Sequence, residues 1–252
     1  MSNSFSYSLG VTTGVTAKHG IGGRRLAPEL RLEALADAAE YLLSQTSFRR
    51  LQVSDVAEEM GVSVGTIYRF VESKDALLLL VVRRALEPEW LPEHYPLPAV
   101  PLEEIAEWLR KRLDYRDFAL LERALRARRV HDPEAELRDV AAEMFDVFEQ
   151  VRPVASVLEQ SAPDFPILAA VFAEARQGLF ERVCDYVKSR TRTGKFRGDL
   201  DPGVAARMLI ELISWAALRR EQRPMGPIPT MEAARATAVD FAVHALVPDS
   251  RT

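Results

Sequence analysis

A single cysteine, Cys184, in a chain of 252 residues excludes an internal disulfide framework and any thiolate metal cage. The four histidines, His19, His94, His131 and His244, are scattered without ligand spacing, so neither a metal nor a cofactor is expected. Catalytic signatures are lacking too. His131 and Asp132 are neighbours in sequence rather than a positioned pair, no Ser-His-Asp or paired-carboxylate arrangement stands out, and Cys184 lies in a stretch of packed-helix pattern where a thiol is inert. No enzyme is expected. The opening Ser-, Thr- and Gly-rich stretch has no apolar run of the signal-peptide kind. The longest unbroken apolar stretch, Ala76 to Val82, falls far short of the ~20 residues of a membrane-spanning helix, and Leu209 to Leu218 is interrupted by Glu211. The expected setting is a reducing cytoplasm, with no membrane partner. Excess positive charge is absent as well: the formal net charge is −4, which argues against a protein that coats nucleic acid indiscriminately.

What remains is a chain that is 48% hydrophobic, enough for a substantial core. Residues 1–27 have few large apolar side chains and end on Arg24-Arg25, reading as a flexible, basic-ended arm. The glycines around Ile21 do not make a phosphate loop, because no strand precedes them and Arg25 stands where a third glycine would fall. From Pro28 the apolar period is helical: Leu32, Leu35, Ala39, Leu42 and Leu43 share a face of a long first helix. Val53, Val56, Ala57 and Met60 form a second, short stripe ending at Gly61. Ser63 and Ser73 are placed to cap a third and a fourth helix.

Residues 87–101 carry too many prolines for a helix interior and mark a joint. Beyond them, helical spacing recurs through Leu102 to Arg129, Glu134 to Leu158, Pro166 to Arg190, Val204 to Arg219 and Met231 to Leu246. No alternating strand stands out. The expectation is an all-α chain, with residues 28–86 a three-helix helix-turn-helix domain plus a linking fourth helix. Residues 102–247 form a larger helical ligand-binding and dimerisation domain.

Short helix, glycine turn, short helix is the construction of a helix-turn-helix, whose second helix must be slim enough for a major groove about 12 Å wide. Gly65 and Thr66 meet that need, with Ser63, Val64, Tyr68 and Arg69 around them and Ile67 as the anchor beneath. Gln52 and Ser54, at the start of the second helix, are further candidate contacts. Arg69 suits a guanine edge or a phosphate, Tyr68 a phosphate, and Lys74, in the first turn of the fourth helix, a phosphate clamp. The Arg24-Arg25 arm either enters a minor groove or stays solvated.

The segment resembles the signature of TetR/AcrR-family repressors. The matching residues are Asp55-Val56-Ala57, Gly61-Val62-Ser63, Gly65-Thr66-Ile67-Tyr68 and Ser73-Lys74-Asp75-Ala76-Leu77. Beyond residues 30–82 the likeness is one of length and helical layout, with the stretch Gly194 to Ala206. Leu51-Gln52 replaces the usual Thr pair, and Val71 replaces an aromatic residue, a change that passes core filling to Phe70. The resemblance implies a homodimer, a pseudo-palindromic double-stranded operator and a small-molecule pocket, hence a repressor released by an effector of largely apolar character. A regulator or organiser whose C-terminal domain only dimerises is the other reading.

For the pocket, Trp108, Phe118, Leu121, Met144, Phe145, Phe148 and Phe172 are candidates, although each taken alone suits plain core packing better. The dimer seam falls on the helices within Pro166 to Arg190 and Val204 to Arg219, through Leu179, Val183, Val187, Met208, Leu212 and Trp215, unless these fill each subunit's own core. The Arg126 to Arg129 cluster reads as a solvated helix end.

Overall fold

The computed structural model describes residues 28–87, 89–113, 118–221 and 226–248, and these form ten α-helices without a strand. The arm, with Arg24 and Arg25, lies outside the described residues. Helix α1 (Pro28–Gln45) buries Leu32, Leu35, Ala36, Ala39 and Leu43. Helix α2 (Val53–Glu59) opens with the Gln52 N–H donating to the Asp55 carboxylate at 2.8 Å. It closes on Gly61 at φ 65°, with Val62 N–H reaching back to Ala57 O at 2.9 Å and Gly61 N–H to Glu58 O at 3.0 Å. A left-handed residue at this place suits glycine and turns the chain sharply into the next helix.

Helix α3 (Val64–Ile67) is a single turn. Helix α4 (Lys74–Leu86) is capped by Ser73, whose Oγ accepts from Ala76 N–H at 3.1 Å. Leu77 through Val82 are all buried, because α4 is packed against α1 on one side and α7 on the other.

The expected single helix from Leu102 to Arg129 is two: α5 (Leu102–Arg112) and α6 (Ala119–Arg126). Phe118, at the N-cap of α6, has no side chain able to cap, and the Glu143 carboxylate of α7 takes over from a distance. It accepts from Leu120 N–H at 2.8 and 2.9 Å and from Leu121 N–H at 3.1 Å. Helices α7 (Pro133–Ser161), α8 (Pro166–Arg192) and α9 (Pro202–Ser214) each start with proline, which suits a first helical position. Asp132 and Asp201 cap α7 and α9. A π-helical turn, Trp215–Arg219, extends α9, and α10 (Met231–Leu246) closes the fold under a Thr230 cap.

Two cores result. One joins α1 to α5 with the elbow between α7 and α8, through Val154, Val157, Leu158, Phe165, Leu168 and Val171. The other packs α6, the first half of α7, the second half of α8, α9 and α10. The N-terminal helices therefore share apolar packing with the α7–α8 elbow.

Two buried arginines tie the second core together. Arg190, 2% exposed, donates to Glu136 at 2.7 and 3.1 Å and to Ala124 O at 2.5 Å. Arg220 donates to Glu149 at 2.7 and 3.1 Å and to Ala217 O at 2.8 Å, supplying a donor to the carbonyls of the π-helical turn. Cys184 is buried and unpaired. Among the described residues no helix is long and apolar enough to cross a membrane, and no group of three or more His, Cys, Asp or Glu side chains is placed to hold a metal.

Candidate nucleic-acid interface and regulatory cavity

The single turn of α3 is held from beneath by Ile67, 1% exposed, and by the fully buried Val71. Its outer side presents Ser63, Val64, Gly65, Tyr68 and Arg69 to solvent, with Thr66 half-buried. Gln52 and Ser54 at the head of α2 are exposed too. Ser63 occupies the N-cap position of α3 but caps nothing: its hydroxyl pairs with that of Thr66 at 2.9 Å instead of a backbone N–H. Gly65 meets no close neighbour, since an added Cβ would lie 3.9 Å from Ser63 Oγ. Packing within the protein therefore does not require a glycine at this place.

Lys74 is oriented from within. Its ammonium stands 4.4 Å from the centroid of the Phe48 ring and donates to Arg49 O at 3.3 Å. Desolvation lowers its pKa from the ordinary lysine value, opposed by Asp75, Asp164 and Asp55. The side chain is thus held at the head of α4 rather than waving in solvent.

Val71 is fully buried and Phe70 packs half-buried against the same core, where it meets a partner that the sequence did not indicate. The proline-rich segment turns back over the helix-turn-helix: Leu97 N–H donates to Phe70 O at 2.7 Å and Glu72 N–H to Leu97 O at 3.0 Å. Tyr95 meets Phe70 edge to face, with ring centroids 5.7 Å apart.

In the C-terminal part, a cavity of about 460 Å³ opens between α7, α8 and α9. Phe118, Phe148 and Phe172 line it as expected, while Trp108, Leu121, Met144 and Phe145 do not. Trp108 instead packs under the Arg83 guanidinium at 4.4 Å in the first core, and Leu121, Met144 and Phe145 are interior to the second. Helical periodicity marks an inward side chain without telling solid core from cavity wall. Val151, Leu158, Phe180 and Leu218 are apolar liners that the sequence reading missed. Polar groups gather at the edge: Arg219 pairs with Glu159 at 2.9 Å, Arg207 with Glu211 at 2.6 Å, and Arg176 and Gln177 are exposed.

The expected seam divides. Leu179, Val183 and Val187 are buried within the subunit's own core, so they have no surface to offer a second subunit. Leu212 is half-buried, whereas Met208 and Trp215 are 68% and 54% exposed, joined by Val204 at 58%. Val204, Met208 and Trp215 share one face of α9 and its π-helical extension.

The described residues thus join a helix-turn-helix at one end to a cavity-bearing helical body behind it. Residues 35–81 match the family model described as bacterial regulatory proteins, tetR family, a stretch that spans α2, α3 and most of α4 and α1. The ketosteroid transcriptional regulator KstR2 of Mycobacterium tuberculosis has a similar fold at a TM-score of 0.55 and 17% identity, over 92% of this chain and 100% of that one. The protein described as "Probable transcriptional regulatory protein RHA5900" gives 0.54 at 16% identity, over 86% and 100% of the two chains. No curated protein sequence matches the chain.

Proposed function

We propose that the protein is a homodimeric, cytoplasmic repressor that reads a pseudo-palindromic operator with α3 and leaves it when a largely apolar small molecule fills the cavity behind Phe118, Phe148 and Phe172. The observation that carries this reading is the position of the cavity. Leu158, Glu159 and Ala162 in its wall sit at the end of α7, where Ser161 and Asp164 are hydrogen-bonded to the loop between α1 and α2. A molecule that displaces this wall acts directly on the packing of the DNA-binding helices.

Within the interface, Thr66, Tyr68 and Arg69 meet the groove and its edge, with Gln52, Ser54, Ser63 and Val64 beside them. Lys74 takes a phosphate at the head of α4, where free backbone N–H groups favour an anion. The dimer forms through the exposed face of Val204, Met208 and Trp215, and a closed two-fold pair places both reading helices on successive faces of the duplex, about 34 Å apart.

The test is reciprocal linkage. An effector found by screening against the DNA complex must lose affinity for the protein in the presence of operator by the same factor by which it weakens operator binding. Equal effector affinity with and without operator contradicts release by this route, and a protein that no small molecule detaches is instead an effector-independent regulator.

A further inference from the structure

The segment from Leu91 to Leu97 is fastened to the end of the helix-turn-helix by two backbone hydrogen bonds and by the Phe70–Tyr95 ring contact. Beside α3 it completes a groove of about 190 Å³ formed by Arg31, Thr66, Arg69, Phe70 and Tyr95. Three separate stretches of chain meet there: the first turns of α1, the reading helix with the residues just after it, and the proline-rich segment. Among the described residues, neither Arg31 nor Arg69 has a carboxylate partner. Tyr95 is 40% exposed and Arg69 is exposed, so two of the groove's lining side chains reach solvent beside α3.

We propose that this groove seats a backbone phosphate of the bound duplex, and that Tyr95 makes the proline-rich segment a working part of the DNA interface. This rests on the reading of α3 as the helix that enters the groove of DNA. Two guanidiniums supply charge and a bidentate geometry suited to phosphate oxygens, and the Thr66 and Tyr95 hydroxyls add neutral hydrogen-bonding groups. Half or more of the hydrogen bonds at such interfaces go to phosphate and sugar, and one edge of the reading helix is where they fall. Phe70 forms the apolar floor and holds the Tyr95 ring at a fixed angle.

The experiment is fluorescence anisotropy on the full chain at several salt concentrations, with a labelled duplex enriched from a random pool and with unselected duplex. Arg31→Gln is expected to weaken both duplexes by a similar factor and to reduce the slope of log affinity against log salt by about 1. Tyr95→Phe keeps the ring on Phe70 and removes only the hydroxyl. It is expected to lower affinity about fivefold with the salt slope unchanged. Were Tyr95 merely a cover for Phe70, Tyr95→Phe would be silent and only Tyr95→Ala would do harm, through stability. Wild-type affinity and slope in both Arg31→Gln and Tyr95→Phe overturn the proposal while DNA binding itself stands. A wild-type protein that binds neither duplex overturns both together.

Discussion

The Ser161 hydroxyl, in the last turn of α7, accepts a hydrogen bond from the backbone N–H of Phe48 at 3.0 Å, joining residues 113 positions apart. Beside it, Asp164 accepts from Arg49 N–H at 2.8 Å, and the Phe48 and Phe165 rings lie 4.7 Å apart. Phe48 in turn carries the Lys74 ammonium on its face. The elbow of the C-terminal helices is thereby fixed to the loop that precedes α2 and, through Lys74, to the head of α4.

Ser161→Ala leaves a buried N–H without a partner, which costs about 1–3 kcal/mol. The expected result is a lower denaturant midpoint with an unchanged m-value. In the effector-release assay the variant is expected to respond less than wild type, because the wall of the cavity no longer grips the loop. An unchanged midpoint would mean that the Phe48 N–H finds another acceptor.

Arg190 is the largest fully buried side chain among the described residues, and its charge is answered by Glu136 and by the Ala124 carbonyl. Tyr186 also donates to Glu136, at 3.2 Å, and burial pushes the phenol's pKa above the ordinary tyrosine value. Glu136→Ala strands the guanidinium and is expected to destabilise the fold by about 3 kcal/mol or more. Glu136→Gln retains an acceptor and is expected to lose less, a ranking that thermal melts of the two variants check.

Met208→Glu and Trp215→Glu place a charge on the exposed face of α9. Sedimentation is expected to show folded monomers with weakened operator binding, because the two reading helices are no longer held as a pair. Val187→Glu buries its charge in the subunit core instead and is expected to unfold the protein. A dimer that survives both α9 substitutions puts the seam elsewhere.

Glu40, half-buried on α1, has a pKa raised above the ordinary carboxylate range, first by burial and then by the Asp37 carboxylate beside it, with Arg152 opposing the shift. A raised folded-state pKa means that the contribution of Glu40 to stability is fully present below its unfolded value, near 4.5, and is lost as pH rises through the folded value. Glu40→Gln is therefore expected to raise the melting temperature at neutral pH, with the gain fading toward acid. Melts across pH 3.5–8 check the sign.

Much of the DNA-side architecture was legible because it is written in local chemistry. Gly61 must take a positive φ, Ser73 caps α4, and the apolar period of α1 names its buried face residue by residue. Three things were not legible. Ser63 stands in a capping position, yet its hydroxyl prefers Thr66, a choice between two short-range partners that spacing alone does not decide. The proline content of residues 87–101 rules out a helix but says nothing of where an extended chain docks, so the meeting of Tyr95 with Phe70 stayed hidden. Leu121, Met144 and Phe145 share their periodicity with Phe148, and only the packing of α6 to α10 separates solid core from cavity wall. The same limit placed Leu179, Val183 and Val187 on the expected seam, of which only Met208 and Trp215 are exposed.

Selection of bound duplexes from a random pool by the purified protein tests the central claim most directly. Enrichment of a pseudo-palindrome, with half-sites about one helical turn or a multiple of it apart and bound far more tightly than unselected DNA, is the predicted result. Recovery of no common sequence, with equal affinity for selected and unselected duplexes at every salt concentration, would contradict it.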